Sequence, residues 1–256
     1  MSAEFKVVIP ARFAASRLPG KPLRQLAGRP MIEHVYRRAC ESGASQVLVA
    51  TDDARIESVA RAFGAEVVMT SPAHPSGTDR LAEVAAQMAW PDAAVVVNLQ
   101  GDEPLMPPAL LRQVAANLAA QPEAAIATLC TPISEAQALF DPNVVKLVCD
   151  AQGFALYFSR APIPWARDDF ALSREHLPPG LAARRHLGLY AYRAGFLRAY
   201  RQLTPAPLEA CEMLEQLRAL WHGYRIHVAD AVVLPGPGID VESDVERVEA
   251  LLRAQQ

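Results

Sequence analysis

The segment from Arg12 to Arg29 concentrates positive charge and contains no Asp or Glu. Arginine offers paired donors and lysine a compact point charge, and together with Ser16 and Gly20 such groups suit a phosphate chain. The segment is not a Walker A loop, because Gly20-Lys21 is followed by proline, and the sequence has no G-x-G-x-x-G dinucleotide motif. The alternative is a solvated basic loop. The cations of the segment are Arg12, Arg17, Lys21, Arg24 and Arg29.

Two separated carboxylates could hold a cation beside that phosphate chain. Asp102 follows the apolar run Ala94–Leu99 in the sequence Q-G-D-E-P, and a carboxylate at the end of a buried strand needs a positive partner. Mg²⁺ is the simplest one, since it takes one or two carboxylates plus phosphate oxygens. Asp240 follows a Pro/Gly turn, Pro235–Gly238, and could reach the same cation. The alternative for both residues is a turn or a helix cap. Glu103 is expected to be structural.

A polar set in the second half of the chain could recognise sugar hydroxyls or a carboxylate. Glu212 and Glu215 are three apart on a predicted helix, and Glu212 and Gln216 are four apart, so they face similarly. A solvated helix face is the alternative for Glu212, and a core histidine for His186. The set comprises Ser159, Arg160, Arg185, His186, Tyr190, Glu212, Glu215 and Gln216.

The elements that position these residues alternate in the first half of the chain. Val/Ile-rich runs are typical of strands buried on both faces, and amphipathic helices between them indicate an α/β fold with a parallel sheet. Ligands of such sheets bind beyond the carboxyl ends of the strands, where the basic segment and Asp102 lie. We predict strands at Phe5–Pro10, Gln46–Ala50, Glu66–Met69 and Ala93–Leu99, and helices at about Pro30–Ser42, Asp53–Phe63 and Thr78–Trp90.

The alternation of strands and helices ends after Ala124, where strand-like runs follow one another. Between the last two runs, Ala161–Arg185 has no periodicity and is predicted to be a long functional loop. A final helix is expected near Ser243, which has capping-box spacing to Glu246. The other predicted elements are strands at Ala124–Cys130, Val144–Cys149, Phe154–Phe158, His186–Tyr192 and Arg225–Ala229, and helices at Gly195–Gln202 and Leu208–Trp221.

Composition excludes several classes of protein. The chain has 256 residues, 51% hydrophobic and 21% charged, with a formal charge of -3, which is ordinary for a globular protein and argues against binding bulk nucleic acid. Its four cysteines form no C-x-x-C pair, so a structural zinc site is not expected. We see no signal peptide and no membrane-spanning run, and we expect a cytoplasmic protein.

The motifs together resemble those of the sugar-acid cytidylyltransferases, and in particular the 3-deoxy-manno-octulosonate (KDO) cytidylyltransferases. The resemblance runs from Phe5 to Leu252. Each motif alone is only weak evidence for the family, but the set of motifs together is specific for it. They are I-P-A-R at 9–12, S-R-L-P-G-K-P-L at 16–23, S-G-T-D-R at 76–80, Q-G-D-E-P at 100–104, Y-F-S-R at 157–160, R-H-L-G-L-Y-A-Y-R at 185–193 and L-E-Q-L-R at 214–218.

The resemblance implies a fold and a reaction. The fold is an α/β, Rossmann-like nucleotidyltransferase sheet with helices on both faces. A nucleotide-binding core (about 5–123 plus 222–256) carries an inserted mixed lobe (about 124–221) for sugar binding and dimerisation. The reaction converts CTP and KDO to CMP-KDO and pyrophosphate for lipopolysaccharide synthesis, with Mg²⁺ as cofactor and a cytoplasmic homodimer as the expected form.

The resemblance also assigns residues. Lys21, Arg17, Asp102 and Asp240 are expected to be catalytic, with Asp102 and Asp240 as the metal ligands. Nucleotide binding is expected from Arg12, Ser16, Arg17, Lys21, Ser76, Gly77, Thr78, Arg80 and Gln100. KDO binding is expected from Gln100, Arg160, His186, Tyr190, Glu215 and Gln216. The chain departs from the family at 241–244, which could shift the helix start, and matches it poorly over 166–184.

Two alternatives stay open at this point. A cytidylyltransferase for another sugar acid, such as a sialic-acid relative, would share the first half of the chain and differ in the second. A non-catalytic nucleotide-sugar binding protein would not need the two metal carboxylates.

Overall fold

A computed structural model describes residues 4–13, 18–74 and 76–254. Nine strands of these residues join in one sheet, whose main path runs β11-β7-β10-β6-β1-β4-β5. Strands β5, β4, β1 and β6 are parallel neighbours, β10 runs antiparallel between β6 and β7, and β11 is parallel to β7. The expected mainly parallel α/β sheet is confirmed.

The first half of the chain supplies the strands on one side of the sheet and four of the flanking helices. Its strands are buried because their Val and Ile side chains face helices on both sides. The elements are β1 (Phe5–Ala11), a 3₁₀ turn (Lys21–Leu23), β2 (Gln25–Leu26), β3 (Arg29–Pro30), α1 (Met31–Glu41), β4 (Gln46–Thr51), α2 (Ala54–Ala62), β5 (Glu66–Met69), α3 (Gly77–Gln87), β6 (Val95–Asn98) and α4 (Pro108–Ala120).

The second half continues the same sheet. Strands β7 and β10, which lie within the predicted lobe of residues 124–221, occupy the middle of its path, and only β8 and β9 lie off that path. The elements are β7 (Ala124–Pro132), α5 (Ala136–Phe140), β8 (Lys146–Cys149), β9 (Ala155–Ser159), α6 (Asp169–Leu172), β10 (Arg184–Arg193), α7 (Ala194–Tyr200), α8 (Pro207–Glu212), α9 (Gln216–Trp221), β11 (Arg225–Asp230) and α10 (Glu242–Ala254).

Helices cover both faces of the sheet, as expected. Ile32 of α1, Ile56 of α2 and Leu110 of α4 belong to one buried apolar cluster. Leu81 of α3 and Leu217 of α9 belong to a second cluster, on the opposite face. Complete burial of such side chains stabilises each by about 1.5–3 kcal/mol, so both faces hold the strand ends rigidly in place.

Several predicted elements need correction. The helix at Pro108–Ala120 was not predicted, because its prolines resemble a break, whereas proline at the first helical position is favourable. The predicted helix at Leu208–Trp221 is two helices, α8 and α9. They are separated at Met213, whose φ of 52° is left-handed and ends α8.

Two further boundaries differ from the sequence prediction. The predicted loop Ala161–Arg185 contains α6, whose Phe170 is buried in a small apolar cluster with Leu139. The capping box of the last helix does not form as predicted, because α10 begins at Glu242 and the Asp244 carboxylate accepts the preceding backbone N–H groups instead.

Candidate active site

The carboxyl ends of β1 and β6 meet at Gly101. A Cβ on this residue would lie 2.9 Å from the main-chain oxygen of Pro10, so only glycine allows the loop after β6 to pass so close to the end of β1. Strands β1 and β6 are adjacent and parallel, so the residues that follow them share one edge. This close approach places Asp102 beside the start of the basic segment.

Asp240 reaches the same edge from the far end of the chain. The backbone N–H of Ile239 donates to the main-chain oxygen of Asp102 at 3.0 Å. The N–H groups of Asp240 and Val241 donate to Oδ2 of Asp244 at 2.9 and 3.1 Å. The departure from the family sequence at 241–244 therefore still leaves the backbone of Asp240 anchored on both sides.

The turn before Asp240 depends on a second glycine. A Cβ on Gly236 would lie 2.6 Å from Cβ of Leu105, closer than two carbon atoms can approach. The turn therefore packs directly against the residues that follow Asp102. This packing, together with the Ile239 hydrogen bond, fixes the separation of the two aspartates.

Lys21 joins the two aspartates into one cluster. Its Nζ lies 2.7 Å from Oδ2 of Asp102 and 3.7 Å from Oδ1 of Asp240, and its side chain is largely buried. Lys21 starts the 3₁₀ turn after Gly20, whose φ of 70° suits glycine. Three residues that the sequence identified in separate motifs thus lie in contact, one positive charge facing two negative ones.

Glu103 adds a carboxyl group to this cluster. Burial, then the charges of Asp102 and Asp240, raise the pKa of Glu103 to about 7. A Cβ on Gly238 would lie 3.0 Å from its Oε1, so the turn before Asp240 packs against the Glu103 side chain. The contact of Glu103 with the turn is structural, as the sequence predicts. Its effect on the charge of the cluster lies beyond that prediction.

The cluster fits the chemistry of Mg²⁺. Asp102 and Asp240 already converge on a cation, the Lys21 ammonium, and their side chains are 37% and 62% exposed, so they can accept hard-metal coordination. Within the described part of the chain, no group of three or more His, Cys, Asp or Glu side chains has metal-binding geometry. Two carboxylates suffice for Mg²⁺ when phosphate oxygens complete the shell.

A cavity of about 350 Å³ lies between the start of α3 and the start of α9, and its lining includes Gln100, two residues before Asp102. It brings together residues that the sequence assigned to two ligands. Gly77, Thr78 and Gln100 were expected to contact the nucleotide, whereas Glu215 and other residues of the lining were expected to contact the sugar. The lining includes Gly77, Thr78, Asn98, Gln100, Tyr190, Tyr192, Phe196, Tyr200, Glu215 and Gln216.

A hydrogen bond connects the two sides of the cavity. Oγ1 of Thr78 donates to Oε2 of Glu215 at 2.9 Å. Burial raises the pKa of Glu215 above its ordinary value, and it raises the pKa of Tyr190 as well. Ser76 caps α3, where its Oγ accepts from the N–H of Asp79 at 3.1 Å. The predicted residues at 76–78 therefore shape the cavity rim.

Arg80 is placed differently from the prediction. Its side chain is completely buried, and its Nη2 lies 3.0 Å from Oδ2 of Asp52, with Thr70 as a further partner. The guanidinium is therefore not exposed at a cavity surface in this structure, and contact of Arg80 with a nucleotide stays a prediction. Burial, then the charge of Arg80, lower the pKa of the half-buried Arg12.

Arg160 lines neither the cavity beside α3 nor a second one of about 490 Å³. Its Nε and Nη1 donate to the main-chain oxygens of Glu212 and Pro142 at 2.7 and 3.0 Å. The Glu212 carboxylate accepts from Oγ of Ser159 at 2.6 Å, so Glu212 is not on a solvated helix face. The guanidinium of Arg160 thus connects the end of α8 to Pro142, and its contact with a sugar carboxylate stays a prediction.

His186 lies in the second cavity, with Glu103 and Arg185. Its Nε2 lies 3.0 Å from Oγ1 of Thr128, and its ring packs edge-on against Phe158. Burial lowers the pKa of His186 to about 3, so its ring is neutral at physiological pH. Gly188 lines both cavities and connects this site to the one beside α3.

The comparisons with known proteins agree with this site. The sequence matches the family described as cytidylyltransferase over residues 6–226. The chain belongs to this cytidylyltransferase family. The 3-deoxy-manno-octulosonate cytidylyltransferase of Pseudomonas fluorescens is 60% identical over 254 residues, covering 99% of this chain and 100% of its own. The same-named protein of Pseudomonas syringae pv. syringae is 58% identical over 252 residues, covering 98% and 99%.

Solved structures agree with the sequence relatives. A structure of CMP:2-keto-3-deoxy-manno-octonic acid synthetase complexed with CTP has 41% identity and a TM-score of 0.89, covering 99% of this chain and 100% of that one. A cytidylyltransferase from Leptospira borgpetersenii, 16% identical with a TM-score of 0.64, covers 98% of this chain and 87% of its own and shares the fold. The resemblance expected from the motifs is confirmed.

Some features of this cytidylyltransferase lie beyond the sequence prediction. Ser16 and Arg17, both expected at the triphosphate, lie outside the described residues. Asn98, Tyr192 and Tyr200 line the cavity but were not identified, because each sits in an apolar segment that predicts only core. Among residues 4–13, 18–74 and 76–254, no helix has the length and apolar character to cross a bilayer.

Proposed function

We propose that this cytidylyltransferase activates KDO, converting CTP and KDO to CMP-KDO and pyrophosphate. One observation carries the proposal. The cluster of Lys21, Asp102 and Asp240 suits a metal and a phosphate chain, and Gln100, two residues before Asp102, lines a cavity that is rich in hydroxyl-binding side chains. Relatives named for this reaction match the whole chain at 58–60% identity, which supports the choice of sugar.

The reaction is the attack of the anomeric hydroxyl of KDO on the α-phosphorus of CTP, with pyrophosphate leaving. Phosphoryl transfer of this kind needs positioning and charge neutralisation and little covalent chemistry. Lys21 supplies a buried positive charge for the phosphate oxygens. The hydroxyl groups of the sugar bind the cavity, where the Glu215 carboxylate accepts hydrogen bonds and Gln216 offers an amide.

Mg²⁺ is the cofactor that we propose, held by Asp102 and Asp240 together with oxygens of the substrates. When bound, the ion supplies charge neutralisation at the transferring phosphate and orients the attacking hydroxyl. The chain holds both carboxylates in place through backbone contacts, namely the Ile239 hydrogen bond and the two N–H groups that bind Asp244. Their positions therefore do not depend on side-chain packing alone.

We further propose a cytoplasmic homodimer that serves lipopolysaccharide synthesis. Support for a protein contact comes from exposed apolar side chains in residues 124–221, the expected dimerisation lobe. Leu172 is 90% exposed and Trp165 is 46% exposed. A surface patch that contained both side chains would be typical of an interaction site.

Pyrophosphate release tests the proposal directly. We expect release on mixing the protein with CTP, Mg²⁺ and KDO, and little release when N-acetylneuraminate replaces KDO. Leaving out each substrate in turn is the control. Faster turnover of N-acetylneuraminate would transfer the activity to another sugar acid, and tight CTP binding without pyrophosphate release would indicate a binding protein.

A further inference from the structure

Three buried polar atoms of the cavity have no hydrogen-bond partner within the described residues. They are Oδ1 of Asn98, the hydroxyl of Tyr200 and Nε2 of Gln216. The three residues are 2%, 2% and 8% exposed, and all of them line the cavity beside α3. Buried polar atoms are nearly always paired in folded proteins, so three unpaired ones around one cavity indicate that polar groups bind there.

The surrounding contacts fix the direction of these groups. Asn98 ends β6 opposite Tyr190 in the sheet, and its side chain hydrogen-bonds the hydroxyl of Tyr192. The ring of Tyr200 packs against Phe196, with centroids 5.8 Å apart, and the guanidinium of Arg218 lies 4.6 Å from its centroid. Both side chains are thus held before any ligand enters.

The chemistry of the lining selects the class of ligand. Among the described residues that line this cavity, none is Lys or Arg, and Glu215 contributes a carboxylate. A phosphate chain would meet no positive charge here and would be repelled. Hydroxyl groups suit the site, because each can donate to an oxygen such as Oδ1 of Asn98 and accept from an amide such as Nε2 of Gln216.

We infer that Asn98 and Tyr200 are specificity-determining residues that bind hydroxyl groups of the sugar acid. This inference rests on the proposed function and extends it to two residues that the motifs did not identify. Oδ1 of Asn98 can only accept, so it requires a sugar O–H. The Tyr200 hydroxyl can donate or accept, and it lies on α7, across the cavity from β6.

The substitution Tyr200→Phe tests the inference, because it removes one oxygen and keeps the ring contacts. At saturating CTP we expect the KM for KDO to rise about tenfold, the loss of one good hydrogen bond. The KM for CTP and the CTP affinity from calorimetry should stay within twofold. The urea midpoint should be unchanged or higher, since an unpaired hydroxyl is removed. The matched control is Tyr36→Phe on α1, outside the cavity, which should leave both KM values unchanged.

Deoxy analogues of KDO, each lacking one hydroxyl, identify the contact. For the analogue that lacks the contacted group, wild type and Tyr200→Phe should perform equally, whereas the other analogues should keep the tenfold difference. Asn98→Leu should also raise the KM for KDO, and its difference from wild type should disappear for a different analogue. The urea midpoint of this variant checks that it is folded.

Two results would overturn the inference while leaving the proposed function intact. One is an unchanged KM for KDO in Tyr200→Phe, and the other is a defect confined to CTP. A wild-type protein that releases no pyrophosphate with KDO would overturn the proposed function instead.

Discussion

Arg80→Met distinguishes a positioning role of Arg80 from a nucleotide-binding one. Arg80 lies on α3, and its guanidinium contacts Asp52 and Thr70, which follow β4 and β5. These contacts connect α3 to two loops at the ligand edge of the sheet. Methionine fills a similar volume without the charge, so the variant removes the ion pair and leaves the apolar packing of the side chain nearly intact.

The expected cost follows from the burial of the pair. Removing one partner of a buried ion pair destabilises a protein by about 3–5 kcal/mol. Arg80 is fully buried, but the side chain of Asp52 is 17% exposed and can regain water. We therefore expect a loss of stability at the lower end of this range. At roughly 2–4 °C for each kcal/mol, a loss of about 3 kcal/mol lowers the Tm by about 6–12 °C.

The assay combines urea unfolding with calorimetric titration of CTP into the folded variant. Arg61→Met is the matched control, because Arg61 makes a solvent-exposed pair with Glu57 at 3.0 Å. Such a pair contributes at most about 0.5 kcal/mol, so this variant should unfold like wild type.

A particular combination would refute the reasoning for Arg80. If Arg80→Met unfolded like wild type but bound CTP a hundredfold more weakly, the guanidinium would contact the nucleotide. The sequence-based assignment would then be correct, and the buried ion pair with Asp52 would not be a feature of the nucleotide-bound protein.

Three other predictions concern the site. Asp102→Asn should reduce the rate of pyrophosphate release at least a hundredfold in protein that urea unfolding shows to be folded, and activity near wild type at saturating Mg²⁺ would contradict the metal assignment. Gly236→Ala should destabilise by about 1–3 kcal/mol in urea and slow turnover, because its Cβ would meet Leu105 and displace Asp240. Below pH 6.5 His186 is protonated in the unfolded chain but stays neutral in the native chain. The free energy of unfolding of wild type should therefore fall by about 1–2 kcal/mol relative to that of His186→Gln by pH 5. A stability difference that stays constant from pH 7 to pH 5 would contradict the burial of a neutral ring.

The ligand edge of the sheet was predictable because buried parallel strands have an unmistakable composition. The run Val95–Asn98 and the strand Phe5–Ala11 are too apolar to be anything but core, and their following loops must share an edge. The shared edge predicts that Lys21 and Asp102 lie near each other. The position of Asp240 could not be derived this way, since a lone aspartate after a turn gives no spatial signal.

Two arginines that were predicted to bind ligands have partners within the chain instead, for a common physical reason. Arg80 and Arg160 both lie in motifs typical of binding, but their guanidinium groups bind other parts of the chain, Asp52 for one and the end of α8 for the other. The residue type and the motif indicate that the donors of a guanidinium group bind an acceptor. They do not reveal whether that acceptor belongs to a ligand or is a carbonyl of the chain. Likewise, Tyr200 in an apolar helix predicts core packing, which its ring indeed provides.

The electrostatics of the cluster imply how its parts depend on one another. Lys21 offsets only part of the negative charge of Asp102 and Asp240, and burial, together with these two carboxylates, raises the pKa of Glu103. A triphosphate alone would add charge to a site that is net negative. A divalent cation held by Asp102 and Asp240 would offset that charge and would share their oxygens with the Lys21 ammonium. Lys21 would then be available for the phosphate chain, so the metal and CTP should each strengthen the binding of the other.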